Sequence, residues 1–227
     1  MTWTISPYIK GRQLRYRNEE DRLTALKAVK AFHRQARRIH LPLYAKDILL
    51  VDRMKKRLDR FAMTAGIFRE FGYGELFHEI YQTGAGLLKL AANFPWNQRD
   101  SLAKRQGLWI HGDVASHNFI VNKKAVLIDF DLLSSAPQLY DYIQLGQRFL
   151  PFISWDLREL MKYDMVPEAD LDIWLIMMAL PSDVMREWLI VSDKSNSLID
   201  AHLQQMREEW DMRKIFLRNV KTVLQSK

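Results

Sequence analysis

The chain of 227 residues contains no cysteine. That excludes disulfides and thiolate zinc sites, and leaves His, Asp and Glu to supply any metal ligands. Hard, oxygen-seeking cations such as Mg²⁺ therefore suit the composition better than zinc. There is no uncharged apolar run of about 18 or more residues to span a bilayer. The N-terminal stretch MTWTISPYIKGR has neither the basic n-region nor the apolar h-region of a secretory signal. The expectation is a soluble, cytoplasmic protein with no membrane partner. Internal repeats, low-complexity tracts and Gly/Ser/Pro-rich linkers are missing too, so nothing marks an internal domain boundary. The glycine-rich phosphate cradles are likewise absent. Gly72 and Gly74 meet Phe77 where a dinucleotide fingerprint needs a third glycine, and Gly107 and Gly112 have phosphate-loop spacing but are followed by Asp113 instead of lysine.

What is present is 48% hydrophobic residues, enough for a substantial core. Lys and Arg number 34 against 27 Asp and Glu, a net charge of +7 that suits anionic ligands such as nucleotides, nucleic acid or acidic surfaces.

Helical periodicity dominates. Residues 1–10 read as extended, with Pro7 holding its predecessor out of the helical region, and Gly11-Arg12 as a turn. Asn18 followed by Glu19, Glu20 and Asp21 is an N-cap with an acidic first turn. Leu26, Val29, Phe32 and Ala36 continue that helix to Arg37 and Arg38. Val51, Met54, Leu58, Phe61, Ala65 and Phe68 form one apolar stripe, which predicts a second helix from about Asp47 to Phe71. Arg53, Lys56, Arg57 and Arg60 fall off that stripe. They read as a solvated face in preference to a nucleic-acid surface, so a nucleic-acid partner is not expected. A third helix covers Glu75 to Ala92, weakened by Gly84 and Gly86.

From Leu108 the texture changes. Phe119–Val121 and Ala125–Phe130 are β-rich runs joined by a turn at Asn122-Lys123-Lys124. Helices then return over Tyr140–Phe149, Asp156–Tyr163, Glu168–Leu180, Pro181–Val191 and Asn196–Val223, with Pro181 placed at a first helical position. Trp155, Trp174, Met177, Met178 and Trp188 fit core better than a cofactor box. The fold class is mainly α with a small β-hairpin insert, an α+β arrangement.

The insert holds the polar cluster. Asp113 and Asn118 lie five residues apart in a segment too short and polar to be regular, and Asp129 ends the strand that returns beside them. A hairpin brings these ends together. One carboxylate is then free to accept a proton, while a second carboxylate and an amide oxygen can serve as hard ligands for Mg²⁺. Phosphoryl transfer needs these parts, since its catalysis is mostly positioning and charge neutralisation. A hydrolase metal site made of His111, Asp113 and His117 is the alternative, and it leaves Asn118 and Asp129 unexplained. His33, His40, His78 and His202 are scattered, and read as surface or satisfied core residues.

His111-Gly112-Asp113 with Asn118, followed by Ile128-Asp129-Phe130-Asp131, resembles the Brenner-type motif of the aminoglycoside phosphotransferase and choline kinase families, nearest their bacterial spore-coat-kinase-like branch. YIKGR resembles the hinge after the small lobe's last strand, EDRLTALKAVKAFHRQA the first large-lobe helix, and LPSDVMREW a late helix of that branch. The resemblance covers nearly the whole chain. It implies a protein-kinase-like large lobe over residues 13–227, with the end of a small-lobe strand and the hinge over 1–12. It further implies Asp113 as catalytic base toward a substrate hydroxyl, His111 orienting the loop, and Asn118 and Asp129 as ligands of Mg²⁺. Asp131 would support metal or substrate, Asp141 would brace the catalytic loop, and Tyr8 and Ile9 would flank the adenine of ATP. Spore association is implied by the branch alone.

The hinge-like YIKGR begins at Tyr8 and leaves no room for the small lobe with its phosphate-covering loop, strand lysine and helix glutamate. Three readings are open: a truncated gene product, a noncatalytic large-lobe relative with a binding or coat-associated role, or a lobe supplied by another chain. Each predicts feeble or absent activity from this chain alone. Each also predicts exposed apolar residues at Trp3, Ile5, Tyr8 and Ile9, a face for self-association or a partner. The acceptor, a hydroxyl-bearing small molecule, is not identified by these residues.

Overall fold

The computed structural model describes residues 8–40 and 49–226. The extended reading of 1–7, the residues Trp3 and Ile5, and the expected helix start at Asp47 lie outside the described residues. In chain order the elements are β1 (Arg12–Gln13), α1 (Glu19–Gln35), α2 (Leu50–Ala62), α3 (Ala65–Glu70), α4 (Gly74–Ala91), α5 (Trp96–Arg105), β2 (Phe119–Val121), β3 (Ala125–Leu127), α6 (Leu139–Phe149), α7 (Leu157–Met161), α8 (Glu168–Ala179), α9 (Ser182–Val191) and α10 (Asn196–Gln225). Short 3₁₀ turns at Ser116–Asn118 and Leu150–Ile153 lead into β2 and out of α6.

The expected hairpin is present, but it is part of a three-stranded antiparallel sheet in the order β1-β2-β3. Arg12 faces Val121 and Gln13 faces Ile120, so Arg12 is a strand residue where a turn was expected. Gly11 permits this contact, because a Cβ there would lie 2.6 Å from both the Ile120 Cγ2 and the Val121 carbonyl oxygen. β3 stops at Leu127, short of the expected Phe130. Beyond it the Ile128 N–H turns to the Asn118 carbonyl at 3.0 Å, and Asp129 takes a left-handed conformation at φ 62°.

The second helix is broken in two. The Thr64 hydroxyl donates to the Phe61 carbonyl at 2.7 Å and accepts from the Trp188 indole N–H at 2.7 Å. A side chain that competes for a helix carbonyl ends the helix locally. The apolar stripe nonetheless continues across the break, with Phe61 and Phe68 both fully buried beside Phe77 and Trp188. α4 and α8 follow their periodicity closely. Gly84 in α4 lets α2 approach, since a Cβ would stand 3.2 Å from Leu58 Cδ1.

α5 was not anticipated by the sequence reading; Trp96 at its start is buried and its indole donates to the Ala91 carbonyl at 2.8 Å. α7 ends at Met161, short of the expected Tyr163, and starts after Asp156 because Asp156 is its N-cap, accepting from the Arg158 and Glu159 backbone amides at 2.7 and 3.1 Å. Pro181 stands one residue ahead of α9 instead of inside it.

Helices α2, α4, α6, α8, α9 and α10 pack around one core. Trp155, Trp174, Met177, Met178 and Trp188 all lie in it, as their pattern suggested. Ile199, Leu203, Met206, Trp210, Phe216 and Val220 give α10 its buried stripe. Among the described residues no helix is long and apolar enough to cross a membrane.

Candidate active site

The segment after α5 is irregular, and buried side chains hold it in shape. Asp141, at the start of α6 and 0% exposed, accepts three hydrogen bonds: from the His111 amide at 2.8 Å, the Gly112 amide at 2.9 Å and the His33 Nε2 at 2.9 Å. One buried carboxylate thus fixes two consecutive backbone donors that would otherwise be orphaned. Three residues along the same helix, the Gln144 amide donates to the Gly112 carbonyl at 2.7 Å. Gly112 itself sits at φ 82°, and a Cβ there would lie 2.5 Å from the Leu132 carbonyl oxygen. Only glycine fits at this crossing of the two loops.

The ring of His111 ties those loops together. Its Nδ1 accepts from the Asp113 amide at 3.3 Å, and its Nε2 is 2.9 Å from the Ile128 carbonyl, so the tautomer carries its proton on Nε2. A pair of bonds between Ile110 and Ser134, at 2.9 and 3.2 Å, closes the outer edge of the same crossing.

Asp113 lies at the edge of a cleft of about 550 Å³ bounded by Tyr16 and residues of α2, α6 and α9. Its Oδ1 accepts from the Arg148 guanidinium at 2.6 Å, and its Oδ2 accepts from the Asn118 amide nitrogen at 3.2 Å. The same Asn118 nitrogen donates to the Asp113 carbonyl at 3.0 Å, which leaves the Asn118 amide oxygen as the atom able to coordinate. Tyr16 underlies the loop, its hydroxyl donating to the Val114 carbonyl at 2.7 Å. Burial pushes that phenol's pKa well up, so it stays a donor.

The hairpin register places Ile128 across from Asn118, and Asp129 follows immediately. Oxygen donors from an amide and a carboxylate suit Mg²⁺. Among the described residues no group of three or more His, Cys, Asp or Glu converges to hold a metal. The oxygen donors this crossing could offer a cation are the Asn118 amide oxygen and the Asp129 carboxylate.

The structure thus brings His111, Asp113, Asn118 and Asp141 together and sets Asp129 beside them. Asp131 is exposed in the following turn, with no hydrogen bond or ion pair among the described residues. Tyr8, 91% exposed, and Ile9, 39% exposed, lie ahead of β1 and are not joined to this cluster.

Several residues escaped the sequence reading. Arg148 and Gln144 stand at i+7 and i+3 from Asp141, a polar face on α6 that helical spacing would have exposed. His33, read as surface or satisfied core, does lie in the core, but its bond to Asp141 was not foreseen, and its Nδ1 has no partner among the described residues. Arg53 and Arg57, read as a solvated face, line the cleft that contains Asp113.

The model of the phosphotransferase enzyme family, abbreviated APH, matches residues 1–163. The fold is similar to the crystal structure of an aminoglycoside phosphotransferase from Alicyclobacillus acidocaldarius subsp. acidocaldarius DSM 446. The TM-score is 0.70 and the identity 20%, over 97% of this chain and 71% of that one. A comparison with curated proteins gives no match.

Proposed function

This chain belongs to the phosphotransferase enzyme family, and we propose that it transfers the γ-phosphate of ATP to a hydroxyl of a small molecule. The observation that carries this reading is Asp113, held at the cleft edge by a buried scaffold with Asn118 and Asp129 next to it. A base placed by backbone and side-chain bonds at a cavity of this size is positioned for the proton of a bound hydroxyl.

In the proposed step the acceptor oxygen attacks phosphorus, its new P–O bond forming as the bridging bond to ADP breaks, while its proton passes to the Asp113 carboxylate. Asn118 and Asp129 would hold Mg²⁺, which supplies charge neutralisation at the phosphates when bound. Asp141 and His111 act by fixing the loop, Asp131 supports metal or substrate, and Tyr8 and Ile9 flank adenine. The exposed Tyr8 and Ile9 also offer a face for self-association or a partner. The finer placement we favour is the spore-coat-kinase-like branch, with a cytoplasmic, spore-associated location, on the strength of the sequence segments at 20–36 and 180–188.

A second reading, a noncatalytic binding lobe, draws on the ion pair between Arg148 and Asp113, which occupies an oxygen the proton would need. The two readings separate on the full chain with Mg²⁺ and ATP. Asp113→Asn should retain the melting shift given by Mg²⁺·ATP and lose about 10²–10⁴-fold in transfer rate. Transfer by Asp113→Asn at the unaltered rate would sink the first reading.

A further inference from the structure

The cleft at Asp113 is basic on its acceptor side. Arg53 and Arg57 on α2, Arg148 on α6 and Arg186 on α9 all line it. Three acids line it as well, but each already has a guanidinium: Asp113 pairs with Arg148, Glu187 stands 3.5 Å from Arg186, and Asp183 pairs with Arg213 beneath the floor. That leaves Arg53 and Arg57 without a direct ion pair among the described residues, Asp183 acting on Arg57 only at longer range. Arg57 is half-buried and donates to the Ser182 carbonyl at 3.1 Å and to the Ser182 hydroxyl, both neutral acceptors.

A half-buried guanidinium satisfied only by neutral oxygens keeps most of its charge uncompensated. The crowding is mutual. Burial first, and then Arg186 and Arg53, lower the Arg57 pKa against the pull of Asp183, and burial followed by Arg186 does the same to Arg148 against the pull of Asp113. Burial, followed by Asp183, raises the Glu187 pKa.

Resting on the phosphotransferase reading of this site, we infer that the acceptor is a hydroxyl compound bearing an anionic group, a carboxylate or a phosphate, seated against Arg57, Arg53 and Arg186 with its hydroxyl toward Asp113. Guanidinium groups are suited to forked bonding with either anion. Arg148 gives the arrangement a consequence for chemistry. An anion beside it competes with Asp113 for the guanidinium and releases Oδ1 to take the hydroxyl proton. A cationic acceptor would instead meet like charge at the cleft wall and leave Asp113 paired.

The test is calorimetric titration of the full chain, without nucleotide, with four probes of similar size: glycerol 3-phosphate, glycerate, glycerol and choline. At least one anion should bind about 10-fold or more tightly than glycerol or choline, and the better anion tells phosphate from carboxylate. The double variant Arg57→Gln with Arg186→Gln should lose that preference while its circular dichroism is unchanged. Should it fail to fold, the exposed Arg53→Gln should still lose about 3-fold. Equal binding of all four probes, preference for choline, or variants with unchanged anion affinity would overturn the inference. So would displacement of the anion by ADP alone, which would assign the arginines to nucleotide phosphates. The two readings fail separately. Anion binding without any phosphate transfer, across a panel of anionic alcohols with Mg²⁺ and ATP, defeats the phosphotransferase reading and leaves the anion site. Transfer to glycerol and choline with no anion preference defeats the site and leaves the enzyme.

Discussion

Two loops meet at the centre of this molecule, and they are built in opposite ways. The loop from His111 to Asn118 is held from below: Asp141, Gln144, Tyr16 and the His111 ring satisfy its backbone, and Asn118 and His111 are buried. The turn from Asp129 to Leu132 is exposed, begins in a left-handed conformation, and is secured mainly at its edges, by the Ile128 and Ser134 backbone bonds. A base must be placed before substrate arrives, because misplacement by an ångström costs rate. A cation that shares phosphate oxygens can organise its own carboxylate ligand as it binds. Under the proposed function, the first loop would be a preformed proton acceptor and the second a metal turn ordered by its ligand.

The largest effect that would break the contrast is at Asp141. Asp141→Ala removes the acceptor of three buried donors and should cost about 3–5 kcal/mol of stability, read from urea unfolding. A loss below about 1 kcal/mol would show that the 111–118 loop is not held by this carboxylate. Next is Gly112→Ala, which places a Cβ against Leu132 in a left-handed backbone and should cost about 2 kcal/mol or more. That variant should also disturb the second loop, visible as lost Mg²⁺·ATP stabilisation.

Asp129 should behave differently. Asp129→Gly tolerates φ 62° without a Cβ, so stability should change by no more than about 1 kcal/mol, while the Mg²⁺-dependent melting shift with ATP disappears. An unfolding penalty equal to that of Asp141→Ala would erase the distinction between the loops.

The smallest effect lies outside both, at β1. The Arg12 guanidinium, bonded to both Asp21 oxygens at 2.7 and 2.8 Å, is the main cause holding the Asp21 pKa below the usual carboxylate range. A carboxylate with a lowered folded pKa contributes stability above its unfolded value of about 3.9, and that contribution is lost as pH falls through the folded value. The stability difference between the unaltered chain and Arg12→Gln should therefore be level from about pH 5 upward and shrink below about pH 4. A difference that grows on acidification would contradict the pairing.

Much of this was readable in the residues. Asp113, Asn118 and Asp129 were singled out by type and spacing, and the hairpin that joins them formed where β-rich runs flank Asn122-Lys123-Lys124. α4, α6, α8 and α10 followed their apolar periods to within a residue or two. The errors share a cause. Thr64 ended a helix because its hydroxyl met Trp188, 124 residues away, and β1 became a strand because Gly11 admits the neighbouring backbone. Arg53 and Arg57 looked solvent-facing on α2 alone, and became cleft residues only once α6 and α9 packed beside that helix.

The sequence by itself determined the helical periods, the hairpin and the residue types able to move a proton and bind an oxygen-seeking cation. These depend on local spacing and on side-chain chemistry, which a linear chain states directly. Tertiary structure alone decided that Asp141 braces the His111 loop, that Arg148 pairs with Asp113, and that the cleft at Asp113 is lined with arginine. Those contacts join groups from 29 to well over 100 residues apart, and their strength comes from burial that exists only after the helices have packed.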